Sequence, residues 1–170
     1  MVRFMESGSL LHTLKSFGAL DEQRTRLYVY QILDGLAYLH LQNIVHCDLK
    51  AANLLCGKYG TVKLSDFGVS LNLKIRSEDI GAMVAGTPNW MAPEVIELKG
   101  ACTQSDLWSL GCTIIEMLTR KPPYDGIATQ MTVLFKIVED EHPPLPPNIS
   151  EVNLNARAYN FSFRICVIFF

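Results

Sequence analysis

The chain has 170 residues, of which 49% are hydrophobic and 19% are charged, a composition that fits one globular domain with a sizeable core. Its net charge of -2 gives no electrostatic basis for binding nucleic acid or an anionic membrane. The N-terminus lacks the apolar core of a signal peptide, and no run approaches the ~20 apolar residues of a membrane span. The five cysteines have no close pairing, so we expect reduced thiols in a soluble, cytoplasmic protein.

The first segments predict the end of a strand followed by two helices. The segment 2–5 is short and mostly apolar, as at the end of a strand. Ser9 is a suitable N-cap for a short helix, and Gly18 ends it. Asp21 can cap a second helix that runs to about Leu41, because its apolar residues recur at intervals of three and four. Two polar residues of this second helix, Tyr30 and His40, are given no role, since such side chains more often pack than react.

Two β-rich segments, 53–56 and 61–64, flank a turn bounded by glycines and predict a hairpin. This hairpin would bring Asn53 close to Asp66. Both side chains offer oxygen ligands, which Mg²⁺ prefers. The pair is therefore a candidate metal site.

The second half of the chain predicts a long loop and three helices. Residues 66–94 show little periodicity, and so long an irregular segment in a compact domain is uncommon unless it is functional. A short helix should cover 94–98, and a central buried helix should run from Ser105 to about Arg120. A last helix is expected over 128–139, with four apolar residues on one side: Met131, Leu134, Phe135 and Val138.

The final segment, 151–170, differs in character from the rest. It shows no helical period and ends in an uncharged apolar run, which would promote aggregation if exposed. We interpret it as an atypical apolar tail rather than native domain structure.

Three motifs occur in a fixed order: His-x-Asp-Leu-x-x-x-Asn within Ile44–Asn53, Asp-Phe-Gly from Asp66, and Ala-Pro-Glu ending at Glu94. Together they resemble the protein-kinase signature set. The resemblance implies an α+β, mostly α-helical fold: a kinase C-terminal lobe with a small β-hairpin under the active site. Residues 1–150 would then be a partial kinase domain, from the hinge between the two lobes through helix G of the C-terminal lobe.

The resemblance also implies roles for individual residues. Asp48 matches the catalytic base, and Lys50 matches the lysine that contacts the γ-phosphate in Ser/Thr kinases. Thr87 matches the threonine that tethers the substrate-side loop to that base. These three are the expected catalytic residues.

The expected cofactors are ATP and Mg²⁺. The resemblance implies six ATP-binding residues: Phe4, Met5, Lys50, Asn53, Leu55 and Asp66. Of these, Asn53 and Asp66 are the expected metal ligands. Turn capping is the alternative explanation for the Asp and Asn residues of these motifs.

Five further residues are expected to be structural. His46 and Phe67 would pack beneath the site, and Gly68 completes its motif. Asp106 resembles the aspartate that holds the catalytic-loop backbone, with a helix N-cap as the alternative. Glu94 is expected to be buried and without its usual arginine partner, which would be destabilising.

Two departures from the family pattern are informative. The residue before the catalytic Asp is Cys47 where the family commonly has Arg, and the position three before Gly86 is Met83 where related kinases often carry a phosphorylated Thr. Because both the receiver and the donor of a phosphate are missing, we expect no requirement for phosphorylation there. The segments around the motifs are most similar to the sterile-family and MAP kinase kinase kinase group, especially septation-initiation kinases and plant epsilon-type kinases.

The chain contains no glycine-rich loop, no Val-Ala-Ile-Lys strand and no partner glutamate helix before the hinge, so the C-lobe alone is expected to have little activity. Three hypotheses follow. The chain is part of an active Ser/Thr kinase whose partner is a protein substrate, expected to be a downstream kinase; it is a non-catalytic decoy or scaffold; or it binds Mg-ATP without transfer. No nucleic-acid or membrane partner is expected.

Overall fold

A computed structural model of the chain describes residues 8–73 and 86–146. The helices are α1 (Leu10–Phe17), α2 (Glu22–Leu41), α3 (Pro93–Ile96), α4 (Thr103–Thr119) and α5 (Gln130–Glu139). Short strands are β1 (Ile44–Val45), β2 (Leu54–Cys56), β3 (Val62–Leu64) and β4 (Leu71–Asn72), and single 3₁₀ turns cover Ala51–Asn53 and Pro88–Trp90. The expected mostly helical fold is confirmed. The expectations for Phe4, Met5, Met83 and the tail lie outside the described residues.

Side-chain caps explain where the first two helices begin, as predicted. Ser9 Oγ accepts a hydrogen bond from the backbone N–H of His12 at 3.2 Å, and Asp21 Oδ1 accepts one from Arg24 at 2.7 Å. Gly18 ends α1 with φ of 96°, a conformation that favours glycine. Among the described helices, none is both long and apolar enough to cross a bilayer.

The predicted hairpin forms within one residue of its expected bounds and packs on α2. Strands β2 and β3 are antiparallel, with Leu54 opposite Leu64. Gln31 of α2 binds both sides of the turn: its Nε2 donates to the Gly60 carbonyl at 3.1 Å, and its Oε1 accepts from the Val62 N–H at 2.9 Å. The helix therefore fixes the position of the strand that leads to Asp66.

Helix α4 forms the centre of the molecule, as its apolar sequence predicts. Twelve of its 17 residues are buried, and it packs against α2 and both 3₁₀ turns. It begins at Thr103, two residues earlier than predicted, because the Cys102 N–H is satisfied by Ser105 Oγ at 3.1 Å. It ends where Arg120 adopts a left-handed conformation with φ of 64°.

The stretch after Asp66 is less irregular than predicted. Strand β4 pairs with β1 in an antiparallel two-residue ladder, with Val45 opposite Leu71. The 3₁₀ turn Pro88–Trp90 adds local structure farther along, and α3 begins at Pro93. Each of these elements has only two to four residues, which is too few for a hydrophobic period to be recognised in the sequence.

Helix α5 begins two residues later than predicted and buries a different face. Thr129 caps it by accepting a hydrogen bond from the Thr132 N–H at 3.2 Å. Its buried side chains are Val133 and Ile137, whereas the four residues predicted on one apolar side are directed outward or lie only partly covered. The prediction identified a real stripe, and that stripe faces solvent.

Candidate active site

The carboxylate of Asp48 is shared by two neighbouring side chains. Lys50 Nζ donates to Asp48 Oδ2 at 2.7 Å, and Thr87 Oγ1 donates to Asp48 Oδ1 at 2.7 Å. Lys50 Nζ also donates to Thr87 Oγ1, which closes a cluster of three side chains. The fold thus brings together the three residues that the sequence predicted to be catalytic, although 37 residues separate Lys50 from Thr87.

These contacts keep Asp48 ionised. Partial burial raises the pKa of the Asp48 carboxyl, but hydrogen bonds from Lys50, Thr87 and Asn53 and the charge of Lys50 outweigh burial and hold that pKa below its ordinary value. The carboxylate is therefore available as a proton acceptor at neutral pH.

Asn53 is oriented by the same aspartate. Its Nδ2 donates to the backbone oxygen and to Oδ2 of Asp48, both at 2.8 Å. Because the amide nitrogen is engaged with Asp48, the amide oxygen is the atom left to bind a cation. The 3₁₀ turn Ala51–Asn53 places this side chain on the same side of the loop as Asp48.

The catalytic loop is held from below by Asp106, whose side chain is fully buried in α4. Its carboxylate accepts hydrogen bonds from the backbone N–H groups of His46 at 2.9 Å and Cys47 at 3.0 Å. The alternative that Asp106 is a helix N-cap is wrong, because α4 begins at Thr103 with Cys102 as its cap. Asp106 instead connects α4 to the catalytic loop.

His40, which the sequence analysis treated as a packing residue without a role, completes this anchor. Its Nε2 lies 2.7 Å from Asp106 Oδ2, so α2, α4 and the catalytic loop meet at one carboxylate. No local pattern singles out His40, because its partner lies 66 residues away.

His46 is fully buried, and its ring links the catalytic loop to the residue that follows β3. The Asp48 N–H donates to His46 Nδ1 at 3.4 Å, so Nδ1 is the acceptor and Nε2 carries the proton that is donated to the Ser65 carbonyl at 3.0 Å. The ring centroid of Phe67 lies 5.3 Å from that of His46. Unlike His46, Phe67 is 48% exposed, so it only partly meets the expectation of a packed residue.

The hairpin places Asp66 beside the loop. Ser65 donates to the Asn53 carbonyl through its N–H at 3.0 Å and its Oγ at 2.9 Å, and Asp66 follows directly. Asp66 has a left-handed backbone with φ of 61°, and its exposed carboxylate accepts a long hydrogen bond of 3.4 Å from the Gly68 N–H. The two candidate metal ligands thus flank the hairpin, Asn53 directly before β2 and Asp66 two residues after β3. In the described part of the chain, no group of three or more His, Cys, Asp or Glu side chains could hold a metal by itself.

A buried acid in α4, Glu116, supports the site and was missed in the sequence analysis. Its Oε2 accepts hydrogen bonds from the Ala51 N–H at 3.0 Å and from Trp90 Nε1 at 3.2 Å. Burial raises the pKa of Glu116, while these two donors and the charge of Lys50 lower it by less. The available signal was one acid within the apolar run Ile114–Leu118 of a helix predicted to be buried, because a buried carboxylate needs partners.

Glu94 corrects another expectation. It is half-buried rather than buried, and its Oε1 accepts a hydrogen bond from Ser105 Oγ at 2.6 Å. Cys102 Sγ lies 3.8 Å from the same oxygen. The Glu94 carboxylate therefore has partners from the start of α4. The expectation that an unpaired Glu94 would destabilise the fold is not met.

Gly86 brings the substrate-side segment against the catalytic loop. Its φ is 129°, and a Cβ at this position would lie 2.9 Å from the Cys47 carbonyl oxygen. The Cys47 side chain is partly buried, and burial followed by the negative charge of Asp106 raises the pKa of its thiol to about 11. The thiol is therefore protonated at neutral pH and offers no cationic replacement for an arginine.

The chain before α1 lies along the hairpin. The Cys56 N–H donates to the Gly8 carbonyl at 2.8 Å, and Ser9 forms an isolated bridge with Leu55. Leu55 is half-buried in β2 opposite Lys63. The structure thus places Leu55 next to the segment that follows Phe4 and Met5.

The fold and the site have the features of a protein kinase: the loop that carries Asp48 and the segment that carries Glu94 both bind one buried helix, α4, which supplies the carboxylates that hold the loop. Comparison with known proteins agrees. The chain matches the protein kinase domain model over residues 1–159, and it belongs to that family.

Relatives place the chain within a group. It is 49% identical over 150 residues to Cell division control protein 7 of Schizosaccharomyces pombe and 52% identical over 150 residues to Cytokinesis protein sepH of Aspergillus niger. It is 47% identical over 153 residues to MAP3K epsilon protein kinase 1 of Arabidopsis thaliana. Each comparison covers 88% of this chain but only 14%, 11% and 11% of these relatives, respectively. The resemblance to septation-type and epsilon-type kinases is confirmed.

Proposed function

We propose that this chain is the C-terminal lobe of a Ser/Thr protein kinase that transfers the γ-phosphoryl group of ATP to a Ser or Thr hydroxyl of a protein substrate. The observation that carries the proposal is the cluster in which Lys50 and Thr87 both bind the ionised carboxylate of Asp48. The similarity to MAP3K epsilon protein kinase 1 supports a downstream kinase as that substrate.

The chemistry follows from the charges of the cluster. Asp48, with its lowered pKa, accepts the proton of the substrate hydroxyl. Thr87 holds one carboxylate oxygen and so fixes the direction in which the base points. Lys50 carries a positive charge beside the base, where it neutralises charge on the transferred group.

The residues present fit a magnesium nucleotide. The amide oxygen of Asn53 and the exposed carboxylate of Asp66 supply hard oxygen ligands from two sides of the hairpin. When bound, Mg-ATP supplies the electrophilic phosphorus and neutralises charge on its phosphates.

A non-catalytic decoy or scaffold is the second candidate. The apolar residues on the outer side of α5 favour it, because such a surface suits partner binding without any chemistry. A module that binds Mg-ATP without transfer would use the same Asn53 and Asp66.

The test is transfer of radiolabelled phosphate from ATP to a Ser/Thr protein substrate, using the longest protein that the transcript encodes. Asp48→Asn should lower the rate by about 10²–10⁴-fold, the range for loss of a general base. Asp34→Asn, at an exposed position of α2, is the matched control and should leave the rate unchanged. Equal rates for native protein and Asp48→Asn would refute the catalytic proposal. Absence of transfer by the native protein would favour the scaffold.

A further inference from the structure

Ser65 connects the hairpin to the catalytic loop through three of its polar groups. Its backbone N–H and its Oγ both donate to the Asn53 carbonyl, at 3.0 and 2.9 Å. Its own carbonyl accepts a hydrogen bond from Nε2 of the buried His46 at 3.0 Å. Ser65 therefore joins the loop that carries the base to the next residue along the chain, the candidate metal ligand Asp66.

Asn53 is held at both ends, by Ser65 and by Asp48. Its carbonyl accepts from Ser65, and its Nδ2 donates to the backbone oxygen and to Oδ2 of Asp48, both at 2.8 Å. These contacts fix the backbone and the amide nitrogen of Asn53. The direction of its amide oxygen, the candidate metal ligand, follows from both of them.

Asp66 depends on Ser65 for its position. Its backbone has φ of 61°, a left-handed conformation that is uncommon for residues other than glycine and persists only where the surroundings hold it. Its exposed carboxylate accepts a hydrogen bond of 3.4 Å from the Gly68 N–H, which is too long to hold it firmly. The peptide that joins Ser65 to Asp66, whose oxygen is bound by His46, is the firmer connection.

The hydroxyl of Ser65 is not needed to satisfy the Asn53 carbonyl. That oxygen already accepts the Ser65 N–H, so removing the hydroxyl leaves no acceptor unpaired and should cost little stability. The second hydrogen bond instead restricts how the end of β3 is oriented against the loop, because two donors on one oxygen define a direction. The hydroxyl therefore affects geometry more than stability.

We propose that Ser65 is a positioning residue for the magnesium nucleotide, whose hydroxyl sets the spacing between the Asn53 amide oxygen and the Asp66 carboxylate. The inference rests on the proposed function, which supplies this ligand. Mg²⁺ requires near-octahedral geometry at about 2.0–2.1 Å, whereas Ca²⁺ accepts longer and more variable distances. A change in the spacing of the two ligands should therefore weaken Mg²⁺ more than Ca²⁺.

The test measures how Mg²⁺ supports nucleotide binding by the longest protein that the transcript encodes. A fluorescent ADP analogue, which has no γ-phosphate to transfer, is kept at constant concentration while Mg²⁺ is titrated and the anisotropy is recorded. Ser65→Ala should raise the apparent Kd for Mg²⁺ by about 10–100-fold, the range for loss of a group that orients a metal ligand. The same titration with Ca²⁺ should show a smaller change.

Phosphoryl transfer provides a second measurement. Ser65→Ala leaves the contacts of Asp48 with Lys50 and Thr87 in place, so kcat at saturating Mg²⁺ should stay close to that of the native protein. The KM for Mg²⁺ should rise. A variant that had only lost stability would contain less active protein, and its KM for Mg²⁺ would not change.

Two further variants separate positioning from stability. Ser109→Ala removes another serine hydroxyl, one that donates to the Trp90 carbonyl at 2.7 Å, and it should leave the Mg²⁺ affinity unchanged even where it lowers the melting temperature. Ser65→Thr retains a hydroxyl at the same position and should bind Mg²⁺ like the native protein.

Four results would overturn the proposal. These are no Mg²⁺-dependent nucleotide binding by the native protein, equal Mg²⁺ affinity of the native protein and Ser65→Ala, equal losses in Ser65→Ala and Ser109→Ala, or a loss in Ser65→Thr as large as in Ser65→Ala. Failure of the proposed function looks different: Asp48→Asn would then leave transfer unchanged while the Mg²⁺ affinity still depends on Ser65.

Discussion

The two sides of the candidate active site are supported very differently. On the base side, residues 46–53 rest on two buried carboxylates of α4, Asp106 and Glu116, which accept hydrogen bonds from the loop backbone. On the metal side, Asp66 and Phe67 are exposed, and the following segment is held by a two-residue ladder and single hydrogen bonds. The base is therefore positioned by the core, whereas Asp66 is positioned mainly by its own strand.

This difference shows which contacts order the base side and the metal side of the site. Buried hydrogen bonds to charged groups are strong and costly to lose, so the loop around Asp48 is organised without any ligand. A segment with few buried contacts opens more readily. We expect a bound magnesium nucleotide to order the Asp66 side more than the Asp48 side.

The largest expected effect comes from removing the central anchor. Asp106→Ala leaves His40 and the N–H groups of His46 and Cys47 without their acceptor, and we expect the free energy of unfolding to fall by about 3–5 kcal/mol. Chemical denaturation measures this loss. Asp21→Ala removes only an exposed helix cap and should cost about 1 kcal/mol. A similar cost for both variants would contradict the role of Asp106 as the anchor of the catalytic loop.

Gly86→Ala should separate the substrate-side segment from the loop. The new methyl group would overlap the Cys47 carbonyl, and the backbone at φ of 129° disfavours any side chain. Gly60→Ala, at φ of 72° with no neighbour within 4 Å of the added Cβ, carries only the backbone strain. Thermal and urea unfolding should show Gly86→Ala to be less stable than Gly60→Ala by about 1–3 kcal/mol. Equal stabilities would show that the segment moves freely.

The raised pKa of Glu116 predicts a pH dependence of stability. A carboxyl that binds its proton more tightly when folded contributes its full stability below the ordinary pKa of 4.5 and loses it as pH rises through the raised pKa. The stability of native protein minus that of Glu116→Gln should therefore fall as pH increases above 4.5, by about 1.4 kcal/mol for each tenfold increase in proton affinity. Removing one donor with Trp90→Phe should raise the pKa of Glu116 further and so make the total fall larger. A flat difference would refute the assignment.

The smallest effect is expected on the metal side. Ser70 Oγ donates to the His46 carbonyl at 3.2 Å, and Ser70→Ala should cost no more than about 0.5–1.5 kcal/mol. Hydrogen exchange should accelerate at Leu71 and Asn72, while the amides of His46 and Cys47 stay protected by Asp106. Ser65→Ala removes a comparable hydroxyl and should not accelerate exchange in β4. Loss of protection on both sides would show that they open together.

Local sequence determined much of the framework. Ser9 and Asp21 cap helices because a short polar side chain satisfies the first free N–H groups of the helix that follows it. The hairpin and the buried centre of α4 followed from residue type and periodicity in the same way. These features depend on neighbours within a few positions, which a sequence displays directly.

The motifs predicted the family and identified Asp48, Lys50 and Thr87 as the expected catalytic residues. The outward orientation of α5 was not visible, because its inner and outer sides are both apolar and periodicity alone does not say which one meets the core.

Tertiary structure alone decided which polar residues support the site. His40 and Glu116 find partners 66 and 65 residues away, and Glu94 finds Ser105 only because the start of α3 lies beside the start of α4. The sequence specified the reactive groups, since their chemistry resides in residue type and order. Their support depended on long-range contacts between buried polar groups, which exist only after the chain has folded.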